Sequence, residues 1–269
     1  MAGLSAQDLM EDDAGVLNPA VPTGLSNLVQ CMIDELEDNG VKITTGTPIK
    51  SVDNTGDTVE IIDQNDQSHQ ADQVIMTVSS AVLKSGNIDL GASLSPEVMT
   101  YLDGVQSAQM TKIIAPINEA TAPALPETSI YFQDEEQDVL AIWNSTQGPV
   151  LQILIGGEPA VKLEEDCREN NDAAKGTVEK VLSSLPEFSD AVHAVDFENM
   201  IVTNWNTNET TLCAYSYLSP GHVRSGPMQS GNIVFAGEAF SNHGSAATMA
   251  AAHDSGNHAG QMGFDNLLE

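Results

Sequence analysis

Basic residues are scarce in this chain. Nine lysines and arginines stand against 39 aspartates and glutamates, a net charge of −30. That balance excludes nucleic acid and anionic membrane surfaces as partners. Cationic ligands would be attracted, yet the acidic residues spread along the whole chain. With so few lysines, they read first as adaptation to a salty environment, where salt screens long-range steering. Cysteine is equally sparse. Cys31, Cys167 and Cys213 lie far apart with no paired spacing, which argues against a disulfide framework and against a zinc site. No apolar run approaches the roughly 20 residues that a membrane span requires. The opening MAGLSAQDLMEDDAG has neither the basic nor the apolar region of a signal peptide. Repeats, low-complexity tracts and a serine–histidine–acid arrangement are also missing. A cytoplasmic protein is the expectation.

What is present suffices for a real core. The 269 residues are 41% hydrophobic, enough for one large domain or two small ones. Residues 1–18 are polar and acidic and are expected to be flexible. Leu25, Leu28, Val29, Met32, Ile33 and Leu36 follow helical spacing, and Asn39-Gly40 supplies the C-terminal stop. A strand is predicted at 41–44. A hairpin turn at 53–57 joins strands at 49–52 and 58–62, a second turn covers 64–68, and 71–78 reads as a buried strand. Ser95-Pro96-Glu97 opens a helix that ends near Gly104. Strands at 111–117, 129–133, 139–144 and 150–155 read as an antiparallel sheet. An amphipathic helix follows at 172–185, with Ala173, Gly176, Val178, Val181, Leu182 and Leu185 on its apolar side. A returning strand is expected at 191–205.

The most informative stretch is GNIVFAGEAFSNHGSAATMAAAHDSGNHAG, from Gly231 to Gly260. It reads as a buried strand (Ile233, Val234, Phe235), a tight Ala236-Gly237-Glu238 turn, a polar loop and a small-residue helix from near Ser245 to about Gly260. Glycine at 237 lets backbone approach a ligand. A loop that ends at a helix N-terminus presents free N–H groups to an electron-rich acceptor.

This stretch resembles the C-terminal FAD motif of the flavin-containing amine oxidases: a hydrophobic strand, Ala-Gly-Glu-Ala and a helix start. The resemblance extends over roughly residues 20–262. Gly24, Leu28, Ile43, Val52, Ala71, Asp72, Val74, Ile75, Thr77, Val78, Val82, Leu83 and Lys84 match the family's central pattern, with Ser79 where the family has proline. It implies an α/β (α+β) class. Residues 19–94 and 204–269 would form part of an FAD-binding domain, and 95–203 a substrate-binding domain with an antiparallel sheet and helices. It also implies FAD as cofactor. Glu238 would bond the ribityl–diphosphate part, Gly237 and Ala239 would bind the cofactor beside it, the backbone at Thr248 and Met249 would face the pyrimidine edge, and the backbone of Val52 the adenine end. Two plainer readings stay open: Glu238 in solvent, and Val52 as an ordinary core valine.

The same resemblance points to Lys112 as the catalytic residue. It follows Met110-Thr111 where the family has Asn-Lys-Val, and the family lysine bonds a water at flavin N5. Burial would lower its pKa. The alternative is a surface lysine, although a salt-adapted chain with seven lysines would shed dispensable ones. Trp205, then Cys213-Ala214-Tyr215-Ser216-Tyr217-Leu218-Ser219-Pro220-Gly221, resembles the family segment before its flavin motif. Cys213 falls where monoamine oxidases carry a flavin-bonded cysteine; a small buried thiol is the other reading. Ala214 and Thr248 replace the monoamine oxidases' aromatic pair, leaving a roomier pocket. Trp205, Tyr215, Tyr217 and His243 are candidates to line it. His243, His253 and His258 have no metal-ligand spacing.

The family's N-terminal G-x-G-x-x-G, which cradles the FAD diphosphate, has no counterpart in this sequence. The expectation is therefore a subunit of a split oxidase. It would oxidise an amine or amino acid C–N bond to an imine with release of hydrogen peroxide. A second polypeptide would supply the dinucleotide-binding half. The alternative is a non-catalytic scaffold subunit that does not hold FAD on its own. A desaturase-like or protoporphyrinogen-oxidase-like flavoprotein shares the topology, but Lys112 argues against it.

Overall fold

A computed structural model describes residues 24–92, 94–118, 139–144, 150–186, 188–242 and 246–266. The expectations for 1–18, the strand at 129–133, His243 and Ser245 lie outside the described residues. The chain forms two compact units. The first takes the residues up to Gln106 and those from Ser216 onward; the second takes Ser107–Tyr215. These divisions fall later in the chain than 94 and 203, because helix Pro96–Gly104 buries Val98 and Leu102 in the first unit's core.

The first unit begins with α1 (Leu25–Asp38). It ends as its sequence predicts: Gly40 has φ 83°, its N–H donates to Glu37 O at 2.9 Å, and the Val41 N–H donates to Leu36 O at 3.0 Å. Those paired bonds cap the last turn. Among the described residues nothing covers the apolar stripe of α1. No residue of the helix is buried, and Leu25 and Val29 are 50% and 46% exposed. Residues 41–44 are irregular rather than a strand, since Val41 turns back to cap α1 and Ile43 finds no sheet neighbour.

Strands β1 (Ile49–Asp53), β2 (Val59–Asp63) and β3 (Ser68–Ala71) form an antiparallel sheet in the order β1-β2-β3. The expected strand 71–78 is divided. Ala71 closes β3, whereas β4 (Val74–Met76) joins a different sheet. That sheet has the order β11-β12-β4, with β11 at Met228–Ser230 and β12 at Ile233–Phe235; β12 pairs parallel with β4 and antiparallel with β11. Ile75 is 42% exposed, so β4 is buried on one side only. Ser79 caps the short α2 (Ser80–Ser85), accepting from the Val82 N–H at 3.1 Å. Ser95 caps α3 (Pro96–Gly104) in the same way, each a favourable N-cap.

The second unit is built on an antiparallel sheet, β7-β8-β6-β9, from β6 (Met110–Pro116), β7 (Val139–Asn144), β8 (Val150–Gly156) and β9 (Ile201–Val202). Burial alternates along β6 and β8, the period of a sheet with one face in a core. Ile113, Leu151 and Ile153 are fully buried, each side chain contributing about 1.5–3 kcal/mol of apolar burial. Helices α4 (Gly157–Asp166) and α5 (Asp172–Ser184) cover that face through Ala160, Leu163, Val178 and Leu182. On α5, Gly176 is exposed and Ala174 is buried in its place. Residues 191–205 are not one strand. A 3-10 turn (Ser189–Ala194) comes first; the Asp196 carboxylate then accepts the N–H groups of Glu198 and Asn199 and folds the chain before β9. The chain passes between units within β5 (Val105–Ala108) and again within β10 (Tyr215–Leu218).

Candidate functional site

Strand β12 is buried at all three positions and leads into a turn that glycine alone adopts easily. Gly237 has φ 108° and ψ −175°, a region essentially closed to L side chains. The Gly237 N–H donates to Ser255 Oγ at 3.1 Å, and Ser255 donates to the Phe240 carbonyl at 2.9 Å. Ser255 lies on α6 (Met249–Asn266), whose buried face is Ala251, Ser255, Ala259 and Gly263. Small residues at that spacing let the helix lie close to the turn.

Glu238 follows in a 3-10 turn with Ala239, which is buried. Its Oε1 accepts the Ser216 N–H at 2.8 Å and its Oε2 the Ser216 hydroxyl at 2.9 Å. The Ala247 amide is a further donor. Burial pushes the Glu238 carboxyl above its usual range, against the Ser216 bonds, the Arg224 charge and the Ala247 amide. The group is only partly covered. A carboxylate has about four acceptor positions, so capacity for a further donor remains.

The polar loop ends at Ala247, which is left-handed at φ 62°. Thr248 caps α6, its Oγ1 accepting the Ala251 N–H at 3.2 Å. The helix starts at Met249 rather than near Ser245 and continues past Gly260 to Asn266. Met249 is 50% exposed, so the first turn of α6 has an open side next to the Glu238 turn. The Val52 N–H donates to the Asp89 carbonyl at 2.9 Å and its side chain is in the core, so a ligand contact through that amide would have to displace Asp89. Tyr217 shares a half-buried face of β10 with Tyr215, while Ser216 and Leu218 point to the buried side.

In the second unit, Lys112 sits in mid-β6, on the face opposite Thr111, Ile113 and Ala115. It is half-buried, and desolvation lowers its pKa. Its backbone is held twice by Thr203: the Lys112 N–H donates to Thr203 Oγ1 at 2.9 Å, and the Thr203 N–H donates to Lys112 O at 3.0 Å. Trp205 is 49% exposed and Cys213 is buried at 5%. Ala214 donates its N–H to Ala108 O at 3.0 Å. No group of residues able to hold a metal occurs among the described residues.

The residues that position these segments carry no motif of their own in the sequence. Glu164, 3% exposed, accepts the Asn206 N–H, the Asn206 side-chain amide and the Thr207 N–H at 3.0, 2.7 and 2.9 Å. Asn206 also exchanges bonds with both backbone groups of Met110. Helix α4, which carries Glu164, lies between the strand predicted at 150–155 and the helix predicted at 172–185, where no element was expected. Ser216 stood within the matched segment. Arg224 had no signal beyond being one of two arginines in the chain.

The pattern of the family described as flavin-containing amine oxidoreductase matches residues 4–261. The chain belongs to this family. It is 25% identical over 245 residues to lysine-specific histone demethylase 1B of Mus musculus, covering 86% of this chain and 28% of that protein. To lysine-specific histone demethylase 2 of Homo sapiens it is 23% identical over 219 residues, covering 76% and 26%. A third relative, lysine-specific histone demethylase 1 homolog 3 of Oryza sativa subsp. indica, is 22% identical over 248 residues, covering 88% and 29%. The chain thus spans less than a third of the length of these relatives. As a family member it is expected to use a flavin. The glycine-only turn, the fixed carboxylate with spare acceptor capacity and the open first turn of α6 fit the polyol and the electron-rich ring edge of such a group.

Proposed function

We propose that this chain is the flavin-ring side of an FAD-dependent amine oxidase, completed by a second polypeptide that carries the dinucleotide-binding half. The observation that carries the reading is Glu238: an anchored, partly exposed carboxylate directly after a glycine-only turn, inside the family match. FAD, when bound, supplies the two-electron acceptor for the amine C–N bond and, on reoxidation by oxygen, hydrogen peroxide. Glu238 accepts a hydroxyl of the cofactor's polyol. Gly237 and Ala239 keep side-chain bulk away from it. The amides at Thr248 and Met249 offer donors and the positive end of a helix dipole. Lys112, with a half-buried ammonium, is suited to hold and orient a water molecule, and Trp205, Ala214, Tyr215 and Tyr217 are the candidate substrate contacts. Cys213 is buried and small, which favours a packing role over a covalent bond to the flavin.

The second polypeptide is supported by surface that the described residues leave open. Strand β4 ends its sheet, Ile75 is exposed, and the apolar stripe of α1 has no cover. An exposed apolar sheet edge and an exposed apolar helix face are each a liability unless another segment covers them. The substrate class is an amine or amino acid, and the names of the relatives make an N-methylated lysine side chain the first member to try.

Co-expression with a G-x-G-x-x-G-bearing chain tests both parts. The expected result is a co-purifying yellow complex with oxidised-flavin absorption that forms peroxide from an amine panel. A complex that forms but stays colourless would establish the scaffold alternative instead.

A further inference from the structure

Arg224 is an unusual residue for this chain to bury. The protein carries nine basic residues against 39 acidic ones. Its other arginine, Arg168, has a side chain 64% exposed. Arg224 is 6% exposed and is the one buried basic residue among the described residues. Burying a guanidinium is unfavourable unless hydrogen bonds and charge compensate it, so its partners show what it is for.

Two of its hydrogen bonds fall on Ser216. Arg224 Nη1 donates to Ser216 Oγ at 3.0 Å and Nη2 to the Ser216 carbonyl at 3.0 Å. Nη1 also approaches the Glu238 backbone carbonyl at 3.4 Å. The guanidinium fork therefore holds Ser216 by side chain and backbone at once, a two-point grip that a lysine's single ammonium does not reproduce. Ser216, 1% exposed, passes the constraint on. Its hydroxyl accepts from Arg224 and donates to Glu238, while its N–H takes the other carboxylate oxygen.

We propose that Arg224 is the positioning residue for Glu238, acting through Ser216 to fix the carboxylate in the orientation that accepts the flavin polyol. This rests on the FAD reading of the Glu238 turn. The arrangement has an electrostatic consequence as well as a geometric one. Burial opposes the charged form of Glu238, and the Arg224 charge opposes that effect. The charged and titratable groups bearing on Glu238 among the described residues are Arg224, from the loop after β10, and Tyr101, from α3. Tyr101 donates to the Ala239 carbonyl at 2.5 Å, and burial raises its pKa, so it stays neutral wherever Glu238 titrates. Arg224 thus favours the anionic carboxylate, both by its own charge and through the Ser216 hydrogen bond that it holds in place.

Three variants of the full chain separate the outcomes: Arg224→Gln, Arg224→Lys and Glu238→Gln. The first readout needs no flavin. With carbon-13-labelled glutamate, the carboxyl titration of Glu238, assigned by its loss in Glu238→Gln, should move to higher pH in Arg224→Gln and stay near wild type in Arg224→Lys. The second readout is FAD affinity across pH in the co-expressed complex. Arg224→Gln should bind roughly tenfold or more weakly, the scale of a lost charge-assisted bond, with a loss that deepens as pH falls. Arg224→Lys should bind more weakly by a factor that does not change with pH. An unchanged Glu238 titration in a folded Arg224→Gln protein overturns the proposal whatever the flavin result. A shifted titration, with no flavin retained even by wild type, leaves the Arg224–Glu238 coupling standing and refutes the FAD reading. Should Arg224→Gln fail to fold, Ser216→Ala breaks the same relay with a smaller change and must show the same pH-dependent loss.

Discussion

Replacing Glu164 with alanine should destabilise the second unit far more than any surface change. Glu164 is 3% exposed and is the acceptor for two backbone N–H groups and one side-chain amide N–H. Alanine removes the shared acceptor of all three. Each unsatisfied buried donor costs about 1–3 kcal/mol. The lower end is the better guide for each, since Asn206 and Thr207 are only partly buried and Asn206 keeps its bonds to Met110. Three donors at that end give an expected loss of roughly 3 kcal/mol, with Glu164→Gln intermediate because it keeps one acceptor oxygen. The assay is favourable. Both tryptophans, Trp143 and Trp205, belong to residues 107–215, so urea unfolding followed by tryptophan fluorescence reports this unit specifically. Glu165→Ala is the control: its side chain is 57% exposed and lies 4.0 Å from Arg168, and it should change stability by less than about 0.5 kcal/mol. A Glu164→Ala protein that unfolds at the wild-type urea concentration would refute the reasoning, because three donors would then have lost their acceptor at no cost.

Further outcomes follow from single sites. Gly237→Ala should destabilise the first unit by about 1–3 kcal/mol through backbone strain and weaken flavin retention. The added Cβ meets Thr77 O at 3.5 Å, an ordinary contact, so thermal melts should show the same loss with serine at this position. Lys112→Met in the co-expressed complex should slow amine oxidation on the order of a hundredfold, the scale of losing one preorganised donor, while the flavin spectrum shows FAD still bound; an unchanged rate would remove Lys112 from the site. Asp63→Asn should flatten the acid limb of the first unit's stability. The N–H groups of Gln67 and Asn65 and the neighbouring His69 hold the Asp63 carboxyl below its usual range. Its contribution is therefore present above the unfolded aspartate's pKa and is lost as pH falls through the lower folded value. Parallel pH titrations of wild type and variant by circular dichroism would show it.

Features determined by neighbours in the chain could be read from the sequence alone. Gly40 ends α1, Ser95-Pro96 starts α3, the 53–57 turn closes a hairpin, and β12 runs into the Gly237 turn. Each depends on backbone preferences and spacing within a few residues, so local order suffices. The apolar stripe of α1 was equally legible, but periodicity says only that a face wants covering, not what covers it. Tertiary structure decided the rest. Strand 71–78 is divided because its two ends find partners in different sheets, and 191–205 breaks where Asp196 gathers nearby amides. The Arg224–Ser216–Glu238 relay and the Glu164–Asn206 cluster each join polar groups distant in sequence and buried together. No local pattern marks such residues, because their hydrogen-bond partners exist only once the chain has folded around them.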